Sequence, residues 1–85
     1  MKVRVLFFAG LREQLGVSGE ELEVPASVST VGGLRAHLMG RGGAWQSALA
    51  EVKLLRMAVN QDMAKPAAPI KPGDEVAFFP PVTGG

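Results

Sequence analysis

The 85-residue chain contains no cysteine and no tyrosine. Without a thiol there is no disulfide, no thiolate metal ligand and no cysteine nucleophile, and sulfur cannot ride on a side chain as a persulfide. Histidine occurs once, at His37, with no Asp or Glu at ligand spacing around it. His37 is therefore read as a surface helix residue, and no metal site is expected. Neither sign of charge dominates: the formal net charge is +1 and charged residues make up 20% of the chain. A nucleic-acid partner calls for a clustered basic face, so none is expected. No apolar run approaches the roughly 20 residues that span a bilayer. The stretch Val5-Leu6-Phe7-Phe8-Ala9 behind Lys2 and Arg4 is too short for an export core, which predicts a cytoplasmic protein with no membrane association.

Chemistry-bearing motifs are equally scarce. Gly32-Gly33 and Gly40 to Gly43 have neither the lysine-serine ending of a phosphate-binding loop nor dinucleotide spacing after a strand. Glu20, Glu21 and Glu23 lie on a strand-like segment, where neighbouring carboxylates face opposite ways and make a poor acid–base pair. Phe78 and Phe79 lack the basic neighbours of a base-stacking platform. No internal catalytic constellation emerges, and the chain is too short for a core plus a deep enclosed cavity.

What is present is 47% hydrophobic residues in patterned segments, enough for one domain over residues 1–85. Lys2 to Ala9 predicts a strand with Val3, Val5 and Phe7 on one face and Lys2, Arg4, Leu6 and Phe8 on the other. Gly10 to Leu15 predicts a short helix ended by Gly16, and Glu21 to Val24 a half-exposed strand closed by Pro25. Ser29 or Thr30 caps the main helix, whose apolar stripe is Val31, Leu34 and Leu38. Trp45, Ala48 and Leu49 suggest another helical turn. Val52 to Val59 suggests a strand, and Asn60-Gln61-Asp62 a tight turn into an edge strand around Met63. Pro66, Pro69 and Pro72 exclude regular structure until Gly73-Asp74 turns into the last strand, Glu75 to Phe79. This order predicts an α+β roll, a mixed sheet wrapped over one helix. If the first and last strands pair, the C-terminal segment leaves from the middle of the sheet.

That segment is Pro80-Pro81-Val82-Thr83-Gly84-Gly85. Two prolines hold it extended, and two glycines let its end pass where a Cβ would not fit. At about 3.5 Å per residue it reaches roughly 20 Å from the body. A frayed end is the ordinary account of terminal glycines. Here no polar linker separates them from the apolar run Val76-Ala77-Phe78-Phe79. The expectation is a flexible tail over 80–85 that delivers a carboxylate, with Gly85 as the reactive residue.

Three stretches carry a resemblance: Val5-Leu6-Phe7-Phe8-Ala9 with Leu11-Arg12-Glu13, Val59-Asn60-Gln61, and above all Gly73 to Gly85. Together they resemble the small, sulfur-carrying subunits of molybdopterin synthase, among the ubiquitin-like β-grasp sulfur carriers. The resemblance implies that an ATP-dependent adenylyltransferase, itself similar to ubiquitin-activating enzymes, adenylates Gly85. A sulfur donor, a desulfurase, then displaces AMP to leave a thiocarboxylate. Pro80, Pro81, Val82, Thr83 and Gly84 insert with it into the synthase large subunit, where sulfur passes to cyclic pyranopterin monophosphate. Catalytic side chains then belong to the large subunit, and this chain is not an enzyme and binds no cofactor, ATP being used by the activating partner. Phe8 and Phe79, by alternation, and Met63, by resemblance, form the expected partner-binding patch, with a core role as the alternative for the aromatics. A carrier for thiamine thiazole or another pathway, or a ubiquitin-like interaction module with an inert end, fits the same residues.

Overall fold

The structure is a computed structural model that describes residues 1–50 and 54–81. Strand β1 (Lys2–Phe7) alternates as the sequence does, with Val3, Val5 and Phe7 buried and Lys2 and Arg4 exposed. It stops one pair of residues earlier than expected. Phe8 is the extended residue before helix α1 (Ala9–Leu15), and Ala9 turns the chain with φ 53°. Gly16 closes α1 in the left-handed conformation, φ 76°, its N–H donating to the Arg12 carbonyl; a Cβ-bearing residue adopts that geometry at a cost. Strand β2 (Gly19–Glu23) pairs antiparallel with β1, and Val24 beyond it is buried.

Helix α2 (Val31–Met39) is capped by Thr30, whose Oγ1 accepts from the Gly33 N–H at 3.0 Å. Val31, Leu34 and Leu38 are fully buried in a single cluster with the inward residues of the sheet. The proline-rich segment after Met63 is irregular, as expected, yet it is stitched to this helix. The Val31 and Gly32 N–H groups donate to the carbonyls of Ala68 (3.0 Å) and Pro66 (2.8 Å), satisfying donors that a helix start leaves open. A Cβ at Gly32 would stand 3.1 Å from the Pro66 oxygen, which accounts for a glycine in the first helical turn. Ile70, to which the sequence pattern assigned no place, is buried in the core.

Helix α3 (Gly43–Leu49) adds Ala48 and Leu49 to the core. Its Trp45 meets Phe7 edge-on, ring centroids 5.4 Å apart, and lies under the Arg41 guanidinium at 4.4 Å. Arg41 also donates to Glu20 Oε1 at 2.6 Å, tying β2 to this corner. Arg35 is buried on α2, where its Nε and Nη2 donate to the carbonyls of Leu49 (2.7 Å) and Ala50 (2.6 Å). The guanidinium thereby satisfies acceptors at the end of α3.

Strand β3 (Arg56–Val59) is shorter than the expected run from Val52. Residues 51–53 lie outside the described residues, and Leu54 and Leu55 precede the strand. The reason is its partner: Arg56 pairs with Phe79, and the next residue along β5 is Pro80, which has no N–H to extend the ladder. Asn60 (φ 50°) and Gln61 (φ 72°) make the tight turn into β4 (Asp62–Ala64), both in the left-handed region that such two-residue turns require. Strand β5 (Glu75–Phe79) completes a sheet of order β2-β1-β5-β3-β4, with β5 parallel to β1 and antiparallel to β3. A mixed five-stranded sheet with its central strand last in the chain, packed on one main helix, is the α+β β-grasp roll.

Candidate functional site: the tail base and the outer sheet face

Strand β5 places the tail. Val76 and Phe78 point into the core, and by alternation Glu75, Ala77 and Phe79 point to the opposite face of the sheet. Pro80 and Pro81 follow immediately and are half-buried. Val82, Thr83, Gly84 and Gly85 lie outside the described residues. Strand β5 therefore ends at the centre of the sheet, beside the point where β1 passes into α1.

The paired registers assemble an apolar row across the outer face. Leu6 pairs with Gly19 on one side and with Ala77 on the other; Ala77 pairs with Ala58, and Ala58 with Met63. Ala58 is buried but stands apart from the core cluster, a short side chain on the floor of this row. Leu6 leans over Gly19, where a Cβ would meet Leu6 Cδ2 at 2.8 Å and the Val5 oxygen at 2.7 Å. Met63 is 61% exposed at one end of the row. Toward the tail, Phe79 is half-buried and pairs with Arg56, while Phe8, 46% exposed, donates its N–H to the Phe78 carbonyl at 3.3 Å. Phe8 and Met63 are thus exposed large apolar residues, and Phe79 is half-buried.

A second apolar feature adjoins the tail base. A shallow hollow of about 190 Å³ is lined by Leu11, Ala48, Leu54, Leu55 and Pro80, and Leu54 is 76% exposed. At the other end of the sheet a larger open hollow, about 480 Å³, lies among Lys2, Arg4, Glu21, Pro72 and Glu75. Both signs of charge line it: Arg4 approaches Glu21 at 3.7 Å and faces Glu75 across the parallel pair, and Lys2 stands opposite Glu23 in the β1–β2 register.

Two carboxylates are shifted, both away from the tail. Asp74 is held below the usual aspartate range by the Asn60 amide (3.0 Å) and the Lys71 backbone N–H (2.8 Å). Glu23 is lowered by the hydrogen bond and charge of the Met1 ammonium at 2.9 Å. Neither faces a second titratable group positioned as acid or base. His37 is exposed on α2. Among the described residues no group of His, Cys, Asp and Glu is placed to hold a metal, and every buried side-chain polar atom has a partner. Among the described residues the arrangement presents Pro80 and Pro81 at the end of a central strand beside an apolar face. It does not enclose a substrate.

Residues 5–85 match the ThiS family, a span that takes in the outer face, the tail base and Gly84-Gly85. The chain belongs to the ThiS family. It is 48% identical over 83 residues to the molybdopterin synthase sulfur carrier subunit of Escherichia coli strain K12, covering 98% of this chain and 99% of the relative. Among solved structures, a putative molybdopterin converting factor subunit 1 from Pyrococcus furiosus superposes with a TM-score of 0.79 at 31% identity, over 96% of this chain and 99% of the other. One chain of the Helicobacter pylori complex of subunits 1 and 2 of molybdopterin-converting factor shares the fold, with a TM-score of 0.66 at 24% identity over the whole of both chains. The relatives of this ThiS-family chain are sulfur carriers, and its β-grasp fold is theirs.

Of the expected partner-binding residues, Phe79 lies on β5, Phe8 follows the end of the adjacent β1 and is hydrogen-bonded to Phe78, and Met63 lies two strands from Phe79 on β4. Sequence reasoning missed Ala58, Ala77 and Arg56. Their signal was present in the alternation Arg56-Met57-Ala58-Val59 and Glu75-Val76-Ala77-Phe78, but alternation without strand order does not say which rows adjoin.

Proposed function

We propose that this chain carries sulfur as a thiocarboxylate on the carboxyl of Gly85 and donates it, inside a molybdopterin synthase large subunit, to cyclic pyranopterin monophosphate. The observation that carries the reading is the continuity of central strand β5 with Pro80-Pro81 beside an apolar outer face. A free carboxylate is ionised at neutral pH and resists nucleophiles. Activation by an adenylyltransferase, at the expense of ATP, gives a mixed anhydride, from which a sulfur donor displaces AMP. Pro80, Pro81, Val82, Thr83 and Gly84 form the stalk that enters the partner's site, and Phe8, Met63 and Phe79 hold the domain against the same partner. Catalytic groups and the pterin pocket belong to the large subunit. The reading sets the chain in the cytoplasm, beside its activating enzyme and desulfurase. The E. coli relative favours the pterin pathway over a thiazole pathway served by the same tail.

The decisive experiment is mass spectrometry of the intact chain after incubation with ATP, the adenylyltransferase and a sulfur source. The expected product has one terminal oxygen exchanged for sulfur, and removing Gly85 or adding one residue after it abolishes the exchange while leaving the melting temperature unchanged. Full sulfur transfer by the extended variant, with the extra residue still attached, would sink the proposal.

A further inference from the structure

The apolar row across the outer face has a floor of Gly19, Ala77 and Ala58 from which Leu6 and Met63 rise, and apolar contact is non-directional. Such a surface holds a partner without setting its rotation, yet a tail six residues long has to meet its channel in one orientation. The charges around the row are unevenly satisfied. At the end remote from the tail, Arg4 is matched by Glu21 and faces Glu75, and Lys2, which makes no ion pair among the described residues, stands opposite Glu23 in the β1–β2 register. The Met1 ammonium is paired with Glu23. At the tail end stands Arg56, exposed on β3 and set beside Phe79, the last residue before Pro80. Among the described residues it makes no ion pair. Its neighbour on the β4 side offers no carboxylate either: one position beyond the Met57–Ala64 pair comes Lys65, also exposed and without an ion pair among the described residues.

We propose that Arg56, supported by Lys65, is the charged recognition point of the docking face and pairs with a carboxylate on the large subunit at the rim of its tail channel. The inference rests on the carrier reading above and deepens it by stating the chemistry of the partner: an apolar patch opposite Met63, Ala58, Ala77 and Phe79, bordered on the tail side by acidic side chains. An apolar centre with a charged rim is the usual anatomy of such interfaces, and arginine's planar fork suits a carboxylate. Because the cations lie off the row and on one side of it, a matching acid opposes them in a single orientation only. Rim charges of this kind act chiefly on association rate and on the choice of partner.

The test measures binding of the full-length chain to the molybdopterin synthase large subunit of the same organism, at low and at high salt. Wild type, Arg56→Gln, Arg56→Glu, Arg4→Gln and Phe79→Ala are compared, with melting temperatures as the folding control. Arg56→Gln is expected to weaken binding about threefold or more and Arg56→Glu about tenfold or more at low salt, through slower association, with both gaps shrinking at high salt. Arg4→Gln is expected to match wild type. Arg56→Glu within twofold of wild type at low salt, while Phe79→Ala still weakens binding, overturns the role of Arg56 and leaves the carrier reading standing. If Arg56→Glu does not fold, Arg56→Gln carries the same comparison. No binding by the wild-type chain overturns the carrier reading itself, and this inference with it.

Discussion

Two adjacent phenylalanines at the end of β5 have opposite tasks because a strand alternates. Phe78 is fully buried, stacked on Phe7 with ring centroids 6.2 Å apart, whereas Phe79 is half-buried on the outer face. Replacing Phe78 with alanine empties a core site and is expected to cost about 3–5 kcal/mol of folding stability, a large share of what a small domain has. Replacing Phe79 with alanine is expected to cost about 1 kcal/mol in folding, and about 2 kcal/mol or more in binding to the large subunit. Denaturant unfolding and a binding titration on both variants check the contrast. Equal folding losses, with no loss of binding for Phe79→Ala, would return Phe79 to the core. The two faces of this pair were legible in the sequence from alternation alone. The half-burial of Phe79 was not, since it depends on which strands flank β5, with Arg56 of β3 as its paired residue.

At the scale of elements, the β3–β4 hairpin and the start of β5 are locked by Asn60 and Asp74. The Asn60 side chain donates to Asp74 and accepts from the Glu75 N–H, and its own N–H donates to the Glu75 carbonyl at 2.7 Å. Asp74 also accepts from the Lys71 N–H, and its carbonyl receives the Arg4 N–H at 2.9 Å, so one short turn sets the register of three strands. The Asp74 carboxylate titrates below its ordinary value of 3.8 in the fold, chiefly through Asn60. A depressed folded-state pKa contributes stability that is fully present above the unfolded value and is lost as pH falls through the folded one. The melting-temperature gap between wild type and Asp74→Asn is therefore expected to hold steady from neutral pH to about 4 and to close below it. A gap that persists unchanged at about pH 2 would show that the carboxylate charge contributes nothing. The Asn-Gln-Asp turn was legible from turn chemistry, but its link to Asp74, fourteen residues on, was not.

For the whole molecule, the described residues contain no aligned acid, base, nucleophile or metal site, and the hollows on the surface are open. The thiocarboxylated chain, mixed with pterin precursor but without the large subunit, is expected to keep its sulfur. Product analysis by liquid chromatography and mass spectrometry checks this. Dithiolene formation at a rate near that of the complete synthase would require an active site on this domain.

Local pattern sufficed for what local physics controls. Strand alternation, a cap at Ser29 or Thr30 and the Gly16 stop each follow from residues within a turn or two of one another, and the exclusion of side-chain sulfur chemistry follows from composition alone. The family resemblance likewise came from contiguous stretches, and its β-grasp expectation agrees with the sheet. Only the tertiary structure decided that β5 lies between β1 and β3 and that β3 begins at Arg56. It also decided that Leu6, Ala77, Ala58 and Met63 share one row, and that Arg56 and Lys65 stand beside it without an ion pair among the described residues. These follow from strand pairing, which joins residues as distant as Leu6 and Ala77. A period of two assigns each residue a face, but which strand lies beside it, and in what register, is set by packing over the whole core.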